Sequence, residues 1–310
     1  MYELRELQAL IAIHRTGSYT SAAELLGYSQ PAVSYQMRRL QQEVGTRLIV
    51  RTSQGVRLTQ AGNLLVKHAE SVFAAMRAAA EELAALAALG GAEVRVEAFQ
   101  SICATLIPLA AEHLRGQGSG LRIVLHQAEP VEARDRVRHG EADLALLAMW
   151  DNEPLPENEE SLSRVPLMRD RRCVVMPGSH RLADLPEVDF ADLAGESWVM
   201  ETFRDRFTAA CRENGFVPRI AATTDDSLTL QTLVASGLGV TLMNELGLHA
   251  HLQPGLVARP LRQWPRRVIY ALLWPDMASV PAVAALVAAV QAAACALRDT
   301  IPGSELPSGP

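Results

Sequence analysis

Residues 18–58 decide how this chain begins to fold, and they read SYTSAAELLGYSQPAVSYQMRRLQQEVGTRLIVRTSQGVRL. A short helix is predicted after Thr20 or Ser21, either of which can cap its start. Gly27 is expected to end that helix because glycine tolerates the left-handed backbone. Ser29 can then cap a second helix. Two short helices joined by a tight turn predict a helix-turn-helix.

The second helix of this pair has an apolar face and a polar face. Val33, Met37, Leu40 and Val44 recur at spacings of four, three and four, which predicts the buried side. In a helix-turn-helix, the start of the second helix meets base edges in the major groove. The residues predicted to contact DNA are Ser29, Gln30, Pro31, Ser34, Tyr35, Arg38, Arg39, Arg51 and Gln54. Among them, Gln30 and Ser34 should read bases. Arg38, Arg39 and Arg51 should contact phosphates or position the module.

A hairpin is predicted after the second helix. Gly45 ends the helix, and residues 47–51 and 56–58 form two short strands around a turn that contains Gly55. This hairpin predicts a wing beside the helix-turn-helix, with Arg51 and Gln54 placed for phosphate or minor-groove contact. The alternative is a hairpin that is only solvated.

The stretch resembles the DNA-binding domain of LysR-type transcriptional regulators. The residues that carry the resemblance are Ala22-Ala23, Leu25, Ser29-Gln30-Pro31-Ala32, Ser34, Leu40, Gly45, Leu48, Arg51 and Leu58-Thr59-Gln60-Ala61-Gly62. Two positions depart from the family pattern, which often has an aromatic residue where Ile49 stands and an arginine where Tyr35 stands. The resemblance does not by itself imply the arginine's contact to phosphate or base at Tyr35.

A long helix is predicted from Thr59 to about Leu89, ended by Gly90-Gly91. Two sets of residues seven apart, offset by four, form a seam of the kind that pairs helices. The residues expected at a dimer interface are Leu65, Val72, Met76 and Leu83. The alternative is a helix that lies on its own core. The resemblance also implies a linker helix that pairs two subunits.

Residues 92–300 alternate between strand and helix, which predicts α/β subdomains with largely parallel sheets. Strands are predicted at 94–99, 121–125, 144–149, 174–177, 197–200, 219–224, 240–243, 257–260 and 268–274. Helices are predicted at 106–114, 131–139, 205–214, 227–235 and 280–297. The chain is expected to cross between subdomains twice, which gives subdomain I (92–163 and 266–300) and subdomain II (164–265).

The whole C-terminal segment resembles the effector-binding domain of the same family, itself similar to periplasmic binding proteins. The predicted fold is therefore an N-terminal all-α winged helix-turn-helix (1–58), a long linker helix (59–91) and a C-terminal α/β periplasmic-binding-protein-like domain of two subdomains (92–300). A disordered tail is expected at 301–310. Two crossings leave a cleft, and such clefts bind ligands at the ends of strands.

Six residues at strand ends are predicted to face this cleft. They are Gln100, Ser101, Trp150, Thr202, Phe203 and Thr224. The alternative is that the hydroxyl groups only cap helices. Glu201 would oppose an anion placed near it, so a mixed, zwitterionic or neutral effector stays open.

Charge is divided unevenly along the chain. The formal net charge is −6, yet residues 1–67 carry a balance of +4 and the remainder −10. A basic module on an acidic body suits nucleic acid at one end only. No signal peptide or membrane-spanning segment is predicted, and a cytoplasmic protein is expected. The alanine-rich residues 280–297 predict a buried or amphipathic helix.

Metal and redox chemistry have little support in the sequence. The cysteines are Cys103, Cys173, Cys211 and Cys295, widely spaced and without a CxxC motif, so no metal or cofactor is expected. Some members of the family sense oxidants through a cysteine pair, which leaves Cys173 and Cys211 as candidates. Free buried cysteine is the common alternative.

The sequence thus predicts a ligand-responsive transcription factor. The resemblance implies a dimer of dimers, double-stranded promoter DNA with a T-N11-A palindrome, a small-molecule effector and contact with RNA polymerase. Two alternatives stay open: a DNA-binding regulator whose C-terminal domain only oligomerises, and an enzyme on a binding-protein-like fold. The sequence lacks GxSxG, HExxH and phosphate-cradling motifs, so no catalytic residue is assigned.

Overall fold

The computed structural model describes residues 2–52, 55–87, 92–154, 156, 159–202, 204–298 and 300. Several predicted features therefore lie outside the described residues. They are Gln54, Phe203, the helix end near Leu89, the Gly90-Gly91 break and the tail at 301–310.

The N-terminal module is a winged helix-turn-helix, as predicted. Its elements are α1 (Leu4–Thr16), α2 (Tyr19–Leu26), α3 (Gln30–Val44), β1 (Ile49–Thr52) and β2 (Gly55–Leu58), with the two strands antiparallel. Val33, Met37 and Leu40 are fully buried, so the apolar face of α3 forms the core of the module.

The turn between the first helices shows one correct and one wrong prediction about caps. Ser18 caps α2 by accepting hydrogen bonds from Thr20 and Ser21, so the predicted caps lie inside the first turn. Because Tyr19 is already helical, the cap lies two or three residues before the predicted one. Gly27 has φ 66°, the left-handed conformation that its position at the helix end requires.

Helix α4 (Gln60–Ala87) joins the module to the second domain. Thr59 caps it, since its Oγ1 accepts a hydrogen bond from Gly62 N at 3.1 Å. Gly62 lies so close to the wing that an added Cβ would stand 2.1 Å from the carbonyl oxygen of Leu48. Val66 and Ala69 pack in the N-terminal core, and further along Ala74 and Ala78 pack in the next domain's core.

The C-terminal domain contains ten strands and seven α-helices among its described residues. The strands are β3 (Glu93–Ala98), β4 (Arg122–Gln127), β5 (Leu144–Trp150), β6 (Ser163–Asp170), β7 (Arg172–Pro177), β8 (Ser197–Met200), β9 (Arg219–Thr223), β10 (Thr241–Asn244), β11 (Leu256–Pro260) and β12 (Arg267–Leu273). The helices are α5 (Gln100–Cys103), α6 (Leu106–Gly116), α7 (Pro130–Arg138), α8 (Asp205–Glu213), α9 (Ser227–Ala235), α10 (Glu245–Ala250) and α11 (Pro281–Arg298). The helix predicted to open at Gln100 is present as α5, whereas β6 and the short helix α10 were not predicted.

Two subdomains form around separate sheets. Subdomain I has a five-stranded sheet in the order β4-β3-β5-β12-β6, and subdomain II has a three-stranded sheet, β10-β7-β11, and a pair, β8-β9. The prediction of largely parallel sheets is wrong. β3 runs parallel to β4 and β5, but β12 is antiparallel to both β5 and β6, and β7 is antiparallel to both of its neighbours. The chain leaves subdomain I along β6 and returns to it along β12, so these two paired strands run in opposite directions.

The predicted subdomain boundary at residue 164 is also wrong. Strand β6 pairs with β12 along its whole length to Asp170, so residues 164–170 belong to the sheet of subdomain I. The chain crosses at Arg171, where one sheet's edge strand ends and β7 of the other begins.

Helix α11 is the one described helix that is long and apolar enough, by length and composition, to cross a membrane. Its inner face nevertheless packs in the core of subdomain I, through Val283, Leu286, Val290 and Leu297. It is therefore a core helix, as its sequence predicted.

Candidate functional site

The start of α3 presents a polar surface to solvent. Ser29 caps the helix by accepting a hydrogen bond from Ala32 N at 3.4 Å. Gln30 Nε2 donates to Ser34 Oγ at 3.1 Å, so the two side chains predicted to read bases lie together on one helical turn. Tyr35 and Arg38 lie on the same helix, and they too are exposed, as is Pro31 in the first turn.

Arg39 faces a different environment from its neighbours. Its guanidinium lies 2.7 Å from Glu3 and 3.1 Å from Glu6, and Glu43 is 3.8 Å away. These carboxylates hold Arg39 against the start of α1. Two roles were predicted for Arg39, phosphate contact and positioning of the module. Its ion pairs suit the second role.

The wing is fixed to the helices by its backbone. Val56 N donates to the carbonyl of Gly17 at 2.9 Å. Arg51 is exposed on β1. Tyr19 lies between the wing and α3: burial raises the pKa of its hydroxyl, and the positive charges of Arg51 and Arg38 oppose that rise. The two arginines therefore flank the same tyrosine.

A cavity of about 440 Å³ lies between the two subdomains. Three of the predicted cleft residues line it, namely Gln100, Ser101 and Trp150. Gln100 Oε1 accepts a 2.6 Å hydrogen bond from Ser227 Oγ at the start of α9, so this contact bridges the subdomains.

Thr202 and Thr224 do not line the cavity, which corrects their prediction. The backbone N–H and the hydroxyl of Thr202 both donate to Asp225, each at 2.7 Å. Thr224 Oγ1 accepts a hydrogen bond from Asp226 N at 3.3 Å. Both hydroxyl groups thus stabilise the loop before α9. Hydrogen bonds from Thr202 lower the pKa of Asp225.

A buried ion pair holds the two crossing strands together beside the cavity. Arg267, the first residue of β12, donates to Asp170, the last residue of β6, at 2.7 and 2.9 Å. Arg267 also donates to Ser101 Oγ at 3.2 Å, and its guanidinium lies 4.7 Å from the ring centre of Phe99. Ser101 is therefore linked directly to the crossing between the subdomains.

Aromatic side chains form one side of the cavity. Trp150 and Trp264 meet edge to face with 5.8 Å between ring centres. Arg206 stacks over Trp150 at 5.5 Å and forms an ion pair with Glu153. A ligand that enters here meets flat apolar surface next to fixed charge.

Charged side chains from both subdomains face the same space. Arg172 donates to Glu201 at 3.1 Å on the side of subdomain II. Glu129 stands opposite, at the start of α7. Burial raises the pKa of Glu129, and the negative charges of Glu201 and Asp225 raise it further.

Three buried polar atoms of the cavity lining have no hydrogen-bond partner among the residues that the structure describes. They are Arg172 Nε, Trp264 Nε1 and Asn244 Oδ1. Buried polar groups are nearly always paired in folded proteins, so these three atoms are exceptions in the wall of the cavity.

Sequence reasoning missed Arg172, Arg267, Trp264, Asn244 and Glu129 as cavity residues. One signal was available, because the charged run Asp170-Arg171-Arg172 stands between two apolar strands. Charges inside such a run must be paired or face a site. Trp264 and Asn244 have no comparable local signal.

Asp143, Asp226 and His180 are polar side chains with structural roles. Asp143 accepts a hydrogen bond from Arg95 N at 2.9 Å, and Asp226 caps α9 by accepting from Thr229 N at 2.7 Å. His180 accepts from Leu182 N at 3.3 Å. Within the described residues, no group of three His, Cys, Asp or Glu side chains could hold a metal ion.

The candidate redox cysteines are buried. Cys173 and Cys211 belong to different core clusters of subdomain II, and burial raises the pKa of each thiol to about 12. Both are free thiols. A thiol with so high a pKa is a poor nucleophile because the thiolate is the reactive form.

A second contact region joins the C-terminal domain to the linker helix. Arg138 and His139, at the end of α7, reach the buried Glu70 of α4 at 3.1 and 3.6 Å. Glu141 pairs with Arg15 of α1. Because α7 begins beside the cleft at Pro130, a single helix connects the cleft to the DNA-binding module.

The fold and the two sites define a winged helix-turn-helix protein with a two-lobed, cleft-containing domain. Residues 4–63 match the model of the bacterial regulatory helix-turn-helix proteins of the lysR family, and residues 87–295 match the LysR substrate binding domain. The chain therefore belongs to the LysR family. It is a DNA-binding transcription regulator with an effector-binding domain.

Relatives share this architecture along most of their length. The transcriptional regulator ShiR of Corynebacterium glutamicum is 29% identical over 88% of this chain and 92% of its own. The DNA-binding transcriptional dual regulator OxyR of Escherichia coli is 28% identical over 86% and 87%. A full-length OxyR variant from Pseudomonas aeruginosa has a TM-score of 0.62 at 23% identity, covering 94% of this chain and 95% of its own, which shows the fold.

Proposed function

We propose that this protein binds promoter DNA as a dimer or a dimer of dimers and changes its regulatory state when a small molecule occupies the cleft. The cleft carries the proposal. A cavity of about 440 Å³ with three unpartnered buried polar atoms lies at the crossing between two subdomains. Such a cavity is in the size range of small-molecule sites.

The DNA-binding surface of the proposal is the start of α3 with the wing. Gln30 and Ser34 would read base edges in the major groove, with Ser29, Pro31, Tyr35 and Arg38 around them. Arg51 and Gln54 would contact the phosphate backbone, and Arg39 would position the module. The basic balance of residues 1–67 supports this assignment.

The linker helix would form the dimer interface. Val72, Met76 and Leu83 are 44%, 49% and 67% exposed, although they are apolar and lie along one helix. Leu65 is half-buried against the N-terminal core and would contribute only its edge. A two-fold pair of recognition helices would read two half-sites. Contact with RNA polymerase and a cytoplasmic location complete the proposal.

Sensing by oxidation of a cysteine pair is the weaker second candidate. The buried thiols of Cys173 and Cys211, with pKa values near 12, argue against a reactive thiolate in this conformation. The cleft offers a cavity lined by charged and aromatic side chains, whereas both thiols are packed in the core.

Selection of genomic DNA fragments by the full-length protein would test the proposal. The expected result is a palindromic site whose affinity changes when a small metabolite that stabilises the protein is added. Sites without two-fold symmetry, or DNA affinity that no metabolite of a broad library alters, would contradict it.

A further inference from the structure

We propose that the effector is a small zwitterion of the α-amino-acid class, with an apolar side chain and its ammonium group among Glu129, Glu201 and Asp225. The inference rests on the proposed function, because it names the ligand class of the same cleft. It follows from Arg204 and Glu129, two charges that line the cleft without an opposite charge among the described residues, and from the apolar lining beside them.

Three ion pairs account for three of the four arginines that line the cavity. Arg267 is paired with Asp170, Arg206 with Glu153, and Arg172 with Glu201. The fourth, Arg204, donates only to uncharged oxygens, the carbonyls of residues 201 and 202 and the hydroxyl of Thr223. Within the described part of the chain, Arg204 is therefore a positive charge without a carboxylate.

Glu129 is the matching negative charge. In the described residues its carboxylate has neither an ion-pair partner nor a hydrogen-bond donor, and it does not cap α7. Glu201 and Asp225 line the same cavity from the other subdomain, so three negative charges share the cleft. A cation placed between them would remove the repulsion and draw the two subdomains together. An ammonium group supplies that charge with three hydrogen-bond donors.

Arg172 Nε and Trp264 Nε1 would donate to the ligand's second polar group. Arg172 is 92% buried (8% exposed), lines the cavity and has a buried Nε–H without an acceptor. Trp264 Nε1 is a second donor of this kind. A carboxylate is a strong acceptor for such donors, particularly for a guanidinium. Arg204 would neutralise its charge.

The remaining lining is suited to an apolar side chain. Trp150 and Trp264 present their rings, and Met149, Met200 and Phe207 line the same cavity. A dicarboxylate would place negative charge against Glu129, and a diamine would leave Arg204 without a carboxylate. A zwitterion with an apolar side chain satisfies all three parts of the cleft.

Isothermal titration calorimetry on the full-length protein would test the ligand class. The probes are the twenty standard amino acids and, for each one that binds, the matched deaminated acid and decarboxylated amine. We expect at least one amino acid to bind, and its deaminated acid to bind at least about tenfold more weakly, as loss of a charged hydrogen bond implies. Glu129→Gln should weaken the amino acid by about tenfold and should not weaken the deaminated acid.

Glu132→Gln is the matched control, because Glu132 lies one turn along α7, is paired with Arg136 and does not line the cavity. It should leave both affinities unchanged. The proposal is overturned if no amino acid binds, if the deaminated acid binds as tightly as its parent, or if Glu129→Gln has no effect.

A library of metabolites without an amine separates this proposal from the broader one. A ligand from that library whose binding is lost in the cavity-filling variant Ala148→Trp, folded by circular dichroism, would overturn the zwitterion while the effector cleft stands. Failure of every compound in both sets would overturn both.

Discussion

Arg138 Nη2 lies 3.1 Å from Glu70 Oε2, which joins the end of α7 to the middle of the linker helix α4. Glu70 is 4% exposed, so its carboxylate depends on this partner. The start of α7 carries Glu129 beside the cleft. A shift of this helix on ligand binding would therefore be felt at the linker and, through Glu141 and Arg15, at α1.

Removing that contact should loosen the two domains. In Arg138→Ala the buried Glu70 loses its arginine, and breaking a buried pair costs about 3–5 kcal/mol. We expect a lower melting temperature and a larger radius of gyration in small-angle scattering. Arg122→Ala is the control, since its pair with Glu93 is exposed and should be worth less than about 1 kcal/mol. Equal effects of the two variants would refute the domain contact.

Base reading should depend on Gln30. Gln30→Ala is expected to lose about 1–3 kcal/mol on the specific site and little on random DNA, measured by fluorescence anisotropy. Gln42→Ala, exposed at the far end of α3, is the control and should bind both as the parent does. Equal loss on specific and random DNA would show that Gln30 does not read sequence.

Arg51 should act on all sequences alike. Arg51→Ala is expected to weaken specific and random DNA by the same factor and to flatten the dependence of affinity on salt, because one phosphate contact is lost. Titrations at several salt concentrations measure both effects. An unchanged slope would place Arg51 away from the phosphates.

Dimerisation should depend on Val72. Val72→Asp would bury a charge beside the partner helix, where it has no ion to pair with. Sedimentation velocity should show a weakened dimer, and operator affinity should fall with it. Val217→Asp, at a 77% exposed valine of the effector domain, is the control. A Val72→Asp protein that sediments like its parent would exclude this face of α4 as the interface.

Acid should destabilise the domain contact through His139. Burial, with Arg15 and Arg138 nearby, lowers the pKa of His139 to about 4, whereas the unfolded chain has the ordinary 6.5. Between these values the folded protein binds fewer protons than the unfolded one, so the free energy of unfolding falls as pH falls from 6.5 to 4. His139→Gln should flatten this part of the urea-unfolding profile, and the exposed His68→Gln should not. Parallel profiles for His139→Gln and the parent would contradict the shift.

Local sequence determined the DNA-binding module almost completely. Caps, helix-ending glycines and the spacing of Val33, Met37 and Leu40 act within a few residues, so they can be read without knowing the rest of the fold. The same holds for most strands and helices of the effector domain. The cap of α2 was predicted at Thr20 or Ser21 and lies at Ser18, which is an error of two or three residues within the same element.

Only the tertiary structure decided which side chains form the cleft. Thr202 stands at a strand end, as predicted, but Asp225, 23 residues further along, takes both of its donors. Ser101 faces the cleft held by Arg267, which is 166 residues away in sequence. Pairing of polar groups depends on which partner comes within hydrogen-bond distance, and folding brings together strands and helices from distant parts of the chain. The direction of β6 and β12 was decided in the same way, because the order and sense of strands in a sheet depend on contacts that no local spacing records.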